Sequence, residues 1–511
     1  MSAPNIVLVM ADQLAPQFTG AYGHPLVRTP NIDALAARGM RFDAAYCNSP
    51  LCAPSRSSFM SGRLPVGIGA YDNASEFPAS VPTFAHYLRQ MGYRTCLSGK
   101  MHFVGPDQLH GFEERLTTDI YPADHAWTPD WEAPDERIDK WYHNMESVCE
   151  AGVAATTYQI EYDEEATFLA RRRIFEYAMD GVRPFAMVVS LIHPHDPYVA
   201  RPEFWSLYDH DEIDLPVVAH AGDPHSKRLR KGIEADVTEV TEDEIRNARH
   251  AYYANVSYFD HNVGIIVKAL EESGRIDDTV VIVTADHGDM LGERGLWYKM
   301  SFFEHSARVP LVIAGPGVRQ GTIGEPCSLV ALLPTFLEIA SPDRQAPALG
   351  MPIDGRSLWP LAIGDRADEP DTGEAIGEYC AEIAPCPIFM IRRGRYKYIH
   401  CDADPPQLFD LDADPHERTD LSGDPAHAAI AASFAAEVAR RWDSAKIRDD
   451  VIATQKRRRA VHAAMEAGLL TSWDYQPKRD AAQEFVRNHM DWTEAAQRTR
   501  YPPFRARSAK E

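Results

Sequence analysis

The stretch CNSPLCAPSRSSFMSGR, residues 47–63, is predicted to be a loop that runs into a helix. Prolines interrupt its first half, and residues 55–62 continue without a breaker. Cys52 then lies near a helix N-terminus, where free N–H groups and the helix dipole favour anions. Arg56 follows four residues later, on the same helical face. A nucleophile-type side chain beside an anion-favouring helix end and a guanidinium indicates chemistry on a sulfate or a phosphate.

The composition is that of a large globular protein with a strongly acidic balance. The chain has 511 residues, of which 45% are hydrophobic and 25% charged, so we expect one large domain and a smaller one. The net charge of −23 argues against nucleic acid or an anionic membrane as a partner. It also opposes long-range attraction of an anionic ester. An anion site must therefore be locally basic, and a substrate that carries a cation beside its anion suits this surface better.

The cysteines and the first residues indicate a reducing compartment. The eight cysteines include no CxxC pair and lack the density of a disulfide scaffold. The opening residues MSAPN lead into an apolar strand without a basic segment or a cleavage site, and no apolar run reaches transmembrane length. We therefore expect a cytoplasmic protein that does not bind membranes.

Strands alternate with helices through the first two thirds of the chain. Strand-like runs occupy residues 6–10, 93–97, 184–192 and 279–284, and residues 241–272 are predicted to form a long helix that opens with a capping box. Each strand ends in ionisable or amide side chains, and open parallel sheets bind ligands at the carboxyl ends of their strands. The pattern predicts one α/β sheet with its site along one edge. The strand-end side chains are Asp12, Gln13, Lys100, His102, His193, His195, Asp286 and His287.

Residues 103–160 form a long irregular stretch that is rich in proline, aspartate and aromatic residues. Its aromatic density argues against disorder. A loop of this length either packs on the surface through its own aromatics or is functional. In the functional interpretation it is a wall of the substrate pocket. The clustered side chains are Trp127, Trp131, Trp141, Tyr142 and His143.

The pattern changes after about residue 365. Residues 389–400 alternate around RRGR like an antiparallel hairpin, and residues 427–459 are predicted to be helical, with the basic run 456–459 as a solvated helix end. The aromatic tail beyond is expected to pack on something, such as a neighbouring subunit. The predicted organisation is a catalytic domain at 1–365, an antiparallel-sheet subdomain at 366–450, and a helical or extended tail at 451–511.

The pentapeptide Cys52-Ala53-Pro54-Ser55-Arg56 resembles the C-x-P-S-R signature of the formylglycine sulfatases, and the chain is similar to sulfatases of the alkaline-phosphatase superfamily over nearly its whole length. The resemblance implies a central, mostly parallel sheet flanked by helices, with a smaller C-terminal α+β subdomain. It also implies that a separate maturation enzyme oxidises Cys52 to formylglycine. One divalent metal ion is implied, with Ca²⁺ expected first and Mn²⁺ or Mg²⁺ as alternatives. Its implied ligands are Asp12, Gln13, Asp286, His287 and the modified Cys52.

The resemblance further implies a covalent mechanism, in which the hydrated aldehyde attacks sulfur and forms a sulfate intermediate. His193 and Lys299 would protonate the leaving oxygen. Arg56 and Lys100 would stabilise charge on the sulfate oxygens. His102 would then take a proton from the second hydroxyl, which expels sulfate.

Longer stretches, at residues 98–112, 121–124, 193–198 and 292–297, are similar to the choline sulfatases. This resemblance implies choline sulfate as the substrate. A quaternary ammonium has no proton to donate, so aromatic faces and carboxylates hold it.

The residues implied to line the choline pocket are Trp127, His143 and Glu382. Glu378 is an alternative carboxylate. The tail around Asp491 and Trp492 is implied to close the pocket across a subunit interface of a dimer or tetramer.

Two alternatives stay open from the sequence. Gln13 and His287 stand where many sulfatases carry Asp and Asn, and the Gln/His pair also resembles phosphonate monoester hydrolases. A phosphonate monoester or phosphodiester hydrolase, or a broader arylsulfatase, on the same scaffold is the first alternative. The second is a non-catalytic binding protein in which Cys52 stays a thiol, because conversion depends on the host's maturation enzyme.

Overall fold

The computed structural model describes residues 3–218, 222–341, 347–365 and 373–502. Its strands, in chain order, are β1 Asn5–Asp12, β2 Met40–Phe42, β3 Ala45–Tyr46, β4 Arg94–Gly99, β5 Glu114–Arg115, β6 Gly152–Val153, β7 Phe185–Pro194, β8 Val199–Ala200, β9 Thr279–Ala285, β10 Arg308–Val309, β11 Leu311–Ala314, β12 Gly321–Ile323, β13 Cys327–Ser328, β14 Glu374–Tyr379, β15 Ile388–Arg393, β16 Tyr396–Cys401 and β17 Gln407–Asp410. Its α-helices are α1 Pro30–Arg38, α2 Cys52–Ser61, α3 Pro65–Ile68, α4 Phe84–Gln90, α5 Glu146–Cys149, α6 Tyr158–Asp180, α7 Pro202–Trp205, α8 Pro224–Gly232, α9 Glu242–Glu272, α10 Glu304–Ala307, α11 Leu332–Ile339, α12 Trp359–Ile363, α13 Ala428–Arg441, α14 Ser444–Glu466, α15 Ala481–Glu484 and α16 Trp492–Gln497.

A mostly parallel sheet forms the centre of the protein. Its strand order is β12-β2-β11-β9-β1-β7-β4-β5, and β1 lies between β9 and β7 with both pairings parallel. Every residue of β1, β7 and β9 is buried, as expected for strands covered on both faces. The predicted α/β fold with a mostly parallel central sheet is confirmed.

Two groups of helices pack around this sheet. Helix α9 contacts α1 and α6, and these three helices cover the strands β4, β7 and β11, while α2, α4 and α11 contact one another and α4 contacts β4. The capping box predicted at the start of the long helix is present, since Thr241 and Glu244 bond each other's backbone N–H groups. No element had been predicted for the segment that forms α6. None of the described helices is long and apolar enough to cross a membrane.

A four-stranded antiparallel sheet, β14-β15-β16-β17, follows in the C-terminal part. Its central hairpin turns at Gly394, as predicted, and α13 packs on β16. Asn48 joins this sheet to the loop before α2, because its side-chain amide donates to the Ile376 carbonyl (2.8 Å) and its backbone carbonyl accepts from the Glu378 N–H (2.8 Å). The small sheet is thereby held against the stretch that carries Cys52.

The predicted division of the chain into three parts stays a prediction. The sheet at residues 374–410 falls within the second predicted part, and the boundary segment 366–372 lies outside the described residues, as does the end of the tail at 503–511. The helical segment predicted at 427–459 is two helices, because Asp443 caps the start of α14.

The interpretation of the basic run 456–459 as a solvated helix end is wrong. The run lies inside α14, and Arg458 is buried in a two-pronged ion pair with Asp72 (2.6 and 2.7 Å). Lys456 does face solvent, in an exposed pair with Glu132. The run therefore anchors α14 to the body of the protein.

Candidate active site

The carboxyl ends of β1 and β9 bring the predicted metal-binding side chains together. Asp12 ends β1, and Asp286 and His287 directly follow β9, its parallel neighbour. The ligand atoms of these three residues and of Cys52 all lie within 4.8 Å of one another, and all four residues are buried. The structure thus brings together strand-end side chains that lie far apart in sequence.

Helix α2 begins at Cys52 and sets its position. The Ser55 hydroxyl donates to the Asp286 carbonyl (2.6 Å), which ties the first turn of α2 to the end of β9. Gly62, in the left-handed region with φ 66°, ends the helix, as Gly commonly does. Cys52 Sγ then lies 3.3 Å from His287 Nε2 and 3.7 Å from Asp12 Oδ1.

The Cys52 side chain is only 1% exposed. Burial, reinforced by the charge of Asp12, raises the pKa of its thiol to about 12. The helix N-terminus and the neighbouring lysines do not outweigh these two effects. As a thiol, Cys52 is protonated at neutral pH and is a poor nucleophile.

Arg56 and Lys100 balance the two carboxylates. Arg56 Nε donates to Asp286 Oδ2 (2.8 Å), and its Nη2 donates to Asp12 Oδ2 (3.2 Å). The Lys100 ammonium contacts the same oxygen of Asp12. Although burial lowers it, attraction to Asp12 raises the pKa of Lys100, and Asp12 has a lowered pKa for the reciprocal reason. Two cations thus face two carboxylates, and a bound dication would leave a net positive site for an anion.

His287 is held as a neutral nitrogen donor. Its Nδ1 lies 3.0 Å from the Gly288 carbonyl, an acceptor, so Nδ1 carries the proton and Nε2 presents a lone pair toward the cluster. Burial lowers its pKa to about 4. Two carboxylates and an unprotonated imidazole nitrogen form a donor set that fits a divalent cation.

Gln13 lies beside this cluster. Its backbone is in the left-handed region, with φ 66°, and its N–H donates to Asp286 Oδ1 (3.1 Å). Its amide oxygen accepts from Lys299 Nζ (2.7 Å). The structure therefore brings Gln13 and Lys299 together at the edge of the cluster.

His102 is an imidazole without a hydrogen-bond partner among the described residues. It is 2% exposed, and neither ring nitrogen has a partner. Burial and the charge of Lys100 lower its pKa to about 3, so the ring is neutral. Its backbone N–H donates to Asp119 (2.8 Å), which also accepts from Arg115. A buried polar ring held in place with both nitrogens unused is available to a ligand.

The irregular aromatic loop forms one wall next to these groups. Trp127 packs edge-on against His102 (5.6 Å between centroids), contacts Tyr121 (5.1 Å) and stacks on Trp141 (6.3 Å). The Lys100 ammonium lies 4.3 Å from the centre of the Tyr121 ring. The loop is thus placed against the catalytic candidates, as the functional interpretation of its aromatics requires.

His143 continues this wall toward Lys299. Its ring stacks on Tyr298 (4.4 Å), and its Nδ1 lies 3.4 Å from Asp196 Oδ2. It also lies 6.0 Å from the His195 ring. The side chains of His143, His195 and Asp196 therefore form a second close group next to the cluster.

Glu382 and Glu378 differ in their surroundings. Glu378 accepts from the Val66 N–H (2.7 Å) and from Trp442 Nε1 (2.6 Å), so its carboxylate is occupied. Glu382 is 5% exposed, and its Oε2 has no hydrogen-bond partner in the described part of the chain. Burial raises its pKa to about 7, and Tyr142 and Lys299 are near enough to interact with its charge.

His193 is the one predicted catalytic residue that the structure does not bring to the cluster. Strand β7 extends to Pro194, so His193 is still inside it, and its Nδ1 pairs with Asp163 Oδ2 on α6 (2.7 Å). His195, beyond the strand end, lies 2.8 Å from Lys299 Nζ. The strand had been predicted to end at residue 192, which put both histidines beyond it, whereas in the structure only His195 lies past the strand end.

His195 is neutral and oriented. Its Nδ1 donates to the Asp196 carbonyl (2.6 Å), so its Nε2 accepts from Lys299. Burial, then the charge of Lys299, lowers its pKa to about 3. His195 was predicted to lie in the same strand-end motif, without an assigned role.

The tail packs on its own chain before it reaches Asp491. Trp473 contacts the His125 ring (5.3 Å), and Asp474 Oδ1 accepts from the Ala123 N–H (3.1 Å). Asp491 caps α16, and the Trp492 side chain is 69% exposed. Closure of the pocket by this segment across a subunit interface stays a prediction.

Comparison with known proteins places these features in a family context. Residues 4–342 match the sulfatase family model, residues 292–443 match the C-terminal model of N-sulphoglucosamine sulphohydrolase, and residues 449–501 match the model of the choline sulfatase enzyme C terminal. The choline-sulfatase of Rhizobium meliloti (strain 1021) is 46% identical over 98% of each chain. Arylsulfatase K of Danio rerio is 30% identical over 80% of this chain and 78% of its own. The solved phosphonate monoester hydrolase of Agrobacterium radiobacter, 23% identical, covers 86% of this chain and 95% of its own with a TM-score of 0.68, so it shares the fold.

Proposed function

The chain belongs to the sulfatase family of sulfuric ester hydrolases, and we propose that it cleaves choline sulfate to choline and sulfate. The observation that carries the proposal is the pairing of two sites. The buried cluster at Cys52 suits an anionic group. The adjoining aromatic wall suits a quaternary ammonium together with Glu382, whose Oε2 has no hydrogen-bond partner among the described residues. The 46% identity to a choline-sulfatase supports the same substrate.

We assign the metal site to the side chains of Asp12, Gln13, Asp286 and His287, with residue 52 as formylglycine beside them. When bound, a divalent cation supplies charge that lowers the pKa of a hydroxyl on residue 52 and polarises the sulfate oxygens. Ca²⁺ is our first choice because three of the four side chains offer oxygen, and Mn²⁺ or Mg²⁺ are the alternatives. Formylglycine at residue 52, as the hydrate, would supply the nucleophilic hydroxyl.

Arg56 is assigned chiefly to holding the two carboxylates, because its N–H groups point at Asp12, Asp286 and the Lys100 carbonyl. Lys100 and Lys299 would face the sulfate oxygens and stabilise the charge that develops on them.

His102, neutral and without a partner, would accept the proton that releases sulfate. The pair of Lys299 and His195 would protonate the leaving oxygen, which replaces the role first given to His193.

Choline recognition is assigned to Trp127, His143 and Glu382. Trp127 and His143 present their rings on the same wall. Tyr142 connects Glu382 to this wall, because its ring contacts Trp141 (4.5 Å) and it lies near enough to interact with the Glu382 charge. A quaternary ammonium gains from ring faces and from a desolvated carboxylate without needing a hydrogen bond. The acidic surface of the chain also suits a substrate with a cationic end.

We further propose a cytoplasmic homo-oligomer, dimer or tetramer, that depends on a formylglycine-generating enzyme. None of the eight cysteines, all of them among the described residues, forms a disulfide, which fits a reducing compartment. The exposed Trp492 at the end of the tail supports a contact with another subunit.

A phosphonate monoester or phosphodiester hydrolase, or a broader arylsulfatase, is the second candidate. The presence of Gln13 and His287 in the donor set favours it, and the likeness to a phosphonate monoester hydrolase supports only the shared fold. The aromatic wall and Glu382 favour the choline ester instead. The remaining alternative is a binding protein with Cys52 left as a thiol.

The test compares turnover of choline sulfate, an aryl sulfate and a phenyl phosphonate by protein whose residue 52 has been checked by intact mass. Conversion of Cys52 to formylglycine lowers the mass by roughly 18 Da. Strong preference for choline sulfate that Trp127→Ala removes supports the proposal. Preference for the phosphonate refutes the substrate assignment, and fully converted protein without turnover on any ester refutes the enzyme assignment.

A further inference from the structure

Asp289 is a buried carboxylate beside the cluster that the predicted chemistry leaves without a role. It is fully buried and accepts from four donors. Its Oδ2 accepts from Gln13 Nε2 (2.7 Å) and from the Tyr198 hydroxyl (2.8 Å). Its Oδ1 accepts from the N–H groups of Leu291 (2.8 Å) and Tyr298 (3.1 Å). Each of its two oxygens therefore serves a different part of the site.

The first part is the Gln13 amide. An amide can turn over and exchange its oxygen with its NH₂ group, and only its partners decide which end points where. Gln13 Nε2 faces two carboxylates, Asp289 and Asp196 (3.1 Å), and its oxygen faces Lys299. The reversed amide would put an oxygen against two carboxylates and an NH₂ group against an ammonium. The two carboxylates thus hold the Gln13 oxygen toward Lys299, whose charge also acts on Cys52 and His287 of the cluster.

The second part is the turn that carries Lys299. Leu291, with φ 44°, and Tyr298, with φ 65°, both adopt left-handed backbone conformations that non-glycine residues rarely occupy. Asp289 Oδ1 accepts from both of their N–H groups. The same carboxylate therefore stabilises the backbone next to Lys299.

We propose that Asp289 is a positioning residue that fixes the Gln13 amide with its oxygen toward the divalent-cation site and holds the turn that carries Lys299. The inference rests on the cation site assigned under the proposed function. Only a carboxylate fits, because every neighbour of both oxygens is a donor. Asparagine would either place its NH₂ against the two backbone N–H groups or force Gln13 to reverse.

The test measures the dissociation constants of Ca²⁺, Mg²⁺ and Mn²⁺ by calorimetry on chelator-treated full-length protein, together with thermal unfolding. Asp289→Asn should weaken binding of the preferred cation by about 10–100-fold. The matched control is Asp260→Asn, because Asp260 is also buried and accepts from Asn31 and Ile32, away from the cluster. It should lower the melting temperature and leave cation affinity unchanged.

A second comparison isolates the amide. Gln13→Glu puts a carboxylate against Asp289 and should weaken folding. The double variant combines Gln13→Glu with Asp289→Asn. The new asparagine side chain can then donate its NH₂ group to the carboxylate introduced at position 13, and its carbonyl can accept from the N–H groups of Leu291 and Tyr298. The double variant should therefore be more stable than the sum of the single effects predicts. Additive effects would mean that the residues do not act on each other and would overturn the inference.

Two further outcomes separate this inference from the function it rests on. Cation affinity within twofold of the wild type in Asp289→Asn overturns the positioning role alone. No binding of any of the three cations by the wild type overturns the cation site and this inference with it. Should Asp289→Asn not fold, Tyr198→Phe, which removes one donor from the same oxygen, should still weaken cation binding several-fold, and unchanged affinity there also overturns the inference.

Discussion

Lys299 Nζ lies 2.8 Å from His195 Nε2. Because His195 donates its Nδ1 proton to the Asp196 carbonyl, its Nε2 can only accept from the ammonium. Lys299 also donates to Gln13, which links this pair to the cluster around Cys52. In the proposed reaction, the proton for the leaving oxygen is therefore held between these two residues.

The first prediction concerns which histidine serves the reaction. His195→Ala should lower kcat for choline sulfate by about 10²–10⁴-fold, since an alkoxide leaving group needs a proton. Turnover of an aryl sulfate with a weakly basic phenolate should fall much less. His193→Ala is the control, because His193 pairs with Asp163 instead, and it should reduce stability more than kcat. The reverse ranking of the two variants would return the role to His193.

The second prediction concerns the pH dependence of choline binding. Burial raises the pKa of Glu382 to about 7, and only its ionised form attracts the ammonium. KM for choline sulfate should therefore fall as the pH rises through about 7 in the wild type, and this change should vanish in Glu382→Gln. Glu378→Gln, which alters a carboxylate occupied by Val66 and Trp442, should keep the wild-type profile. Identical profiles in all three proteins would remove Glu382 from the pocket.

The third prediction concerns the stability cost of the same carboxylate. The pKa of Glu382 is about 7 in the folded chain, above its ordinary value of 4.5, so the folded state binds more protons than the unfolded state between these values. Stability therefore falls as the pH rises through this window. Glu382→Gln should raise the free energy of unfolding at pH 8 by roughly 1–3 kcal/mol and change it little at pH 4. Urea unfolding at both pH values measures this, and a loss of stability at pH 8 would contradict it.

The fourth prediction concerns metal removal. A cation bound by Asp12, Asp286 and His287 stabilises only the folded state, so Ca²⁺ at 100 times its Kd should add about 2.7 kcal/mol. Thermal unfolding of chelator-treated protein with and without Ca²⁺ measures the shift. Asp286→Asn should abolish the shift. A variant that still shows the full shift would place the ion elsewhere.

The fifth prediction compares two ion pairs on helix α14. Arg458→Ala leaves Asp72 buried without its partner and should cost about 3–5 kcal/mol. Lys456→Ala breaks an exposed pair with Glu132 and should cost about 0–1 kcal/mol. Urea unfolding of both variants gives the comparison, and equal costs would mean that the buried pair does not anchor the helix.

Features set by local sequence were predictable. The buried strands and the capping box at Thr241 depend on residues close together in the chain, and the structure confirms them. The stretch at Cys52 also forms the predicted helix start. Their physical causes, apolar runs and cap chemistry, are visible within a few residues.

Features set by long-range packing were not predictable. Arg458 meets Asp72 across 386 residues, and nothing local distinguishes it from the solvated lysine two positions earlier. The different surroundings of His193 and His195 depend on where β7 ends, which pairing with neighbouring strands decides. The role of Asp289 appears only when Gln13 and the turn at Tyr298 are both in place.

The burial of Cys52 sets the order in which folding and the proposed conversion to formylglycine must occur. With 1% of its surface exposed, this side chain cannot enter the active site of another enzyme once the fold is complete. The proposed conversion of Cys52 to formylglycine must therefore take place before folding is complete. A cell that synthesises the chain faster than Cys52 is converted would accumulate folded protein molecules that stay inactive. Later incubation with the maturation enzyme would not rescue them, so the active fraction of a preparation would record the rate at which it was synthesised.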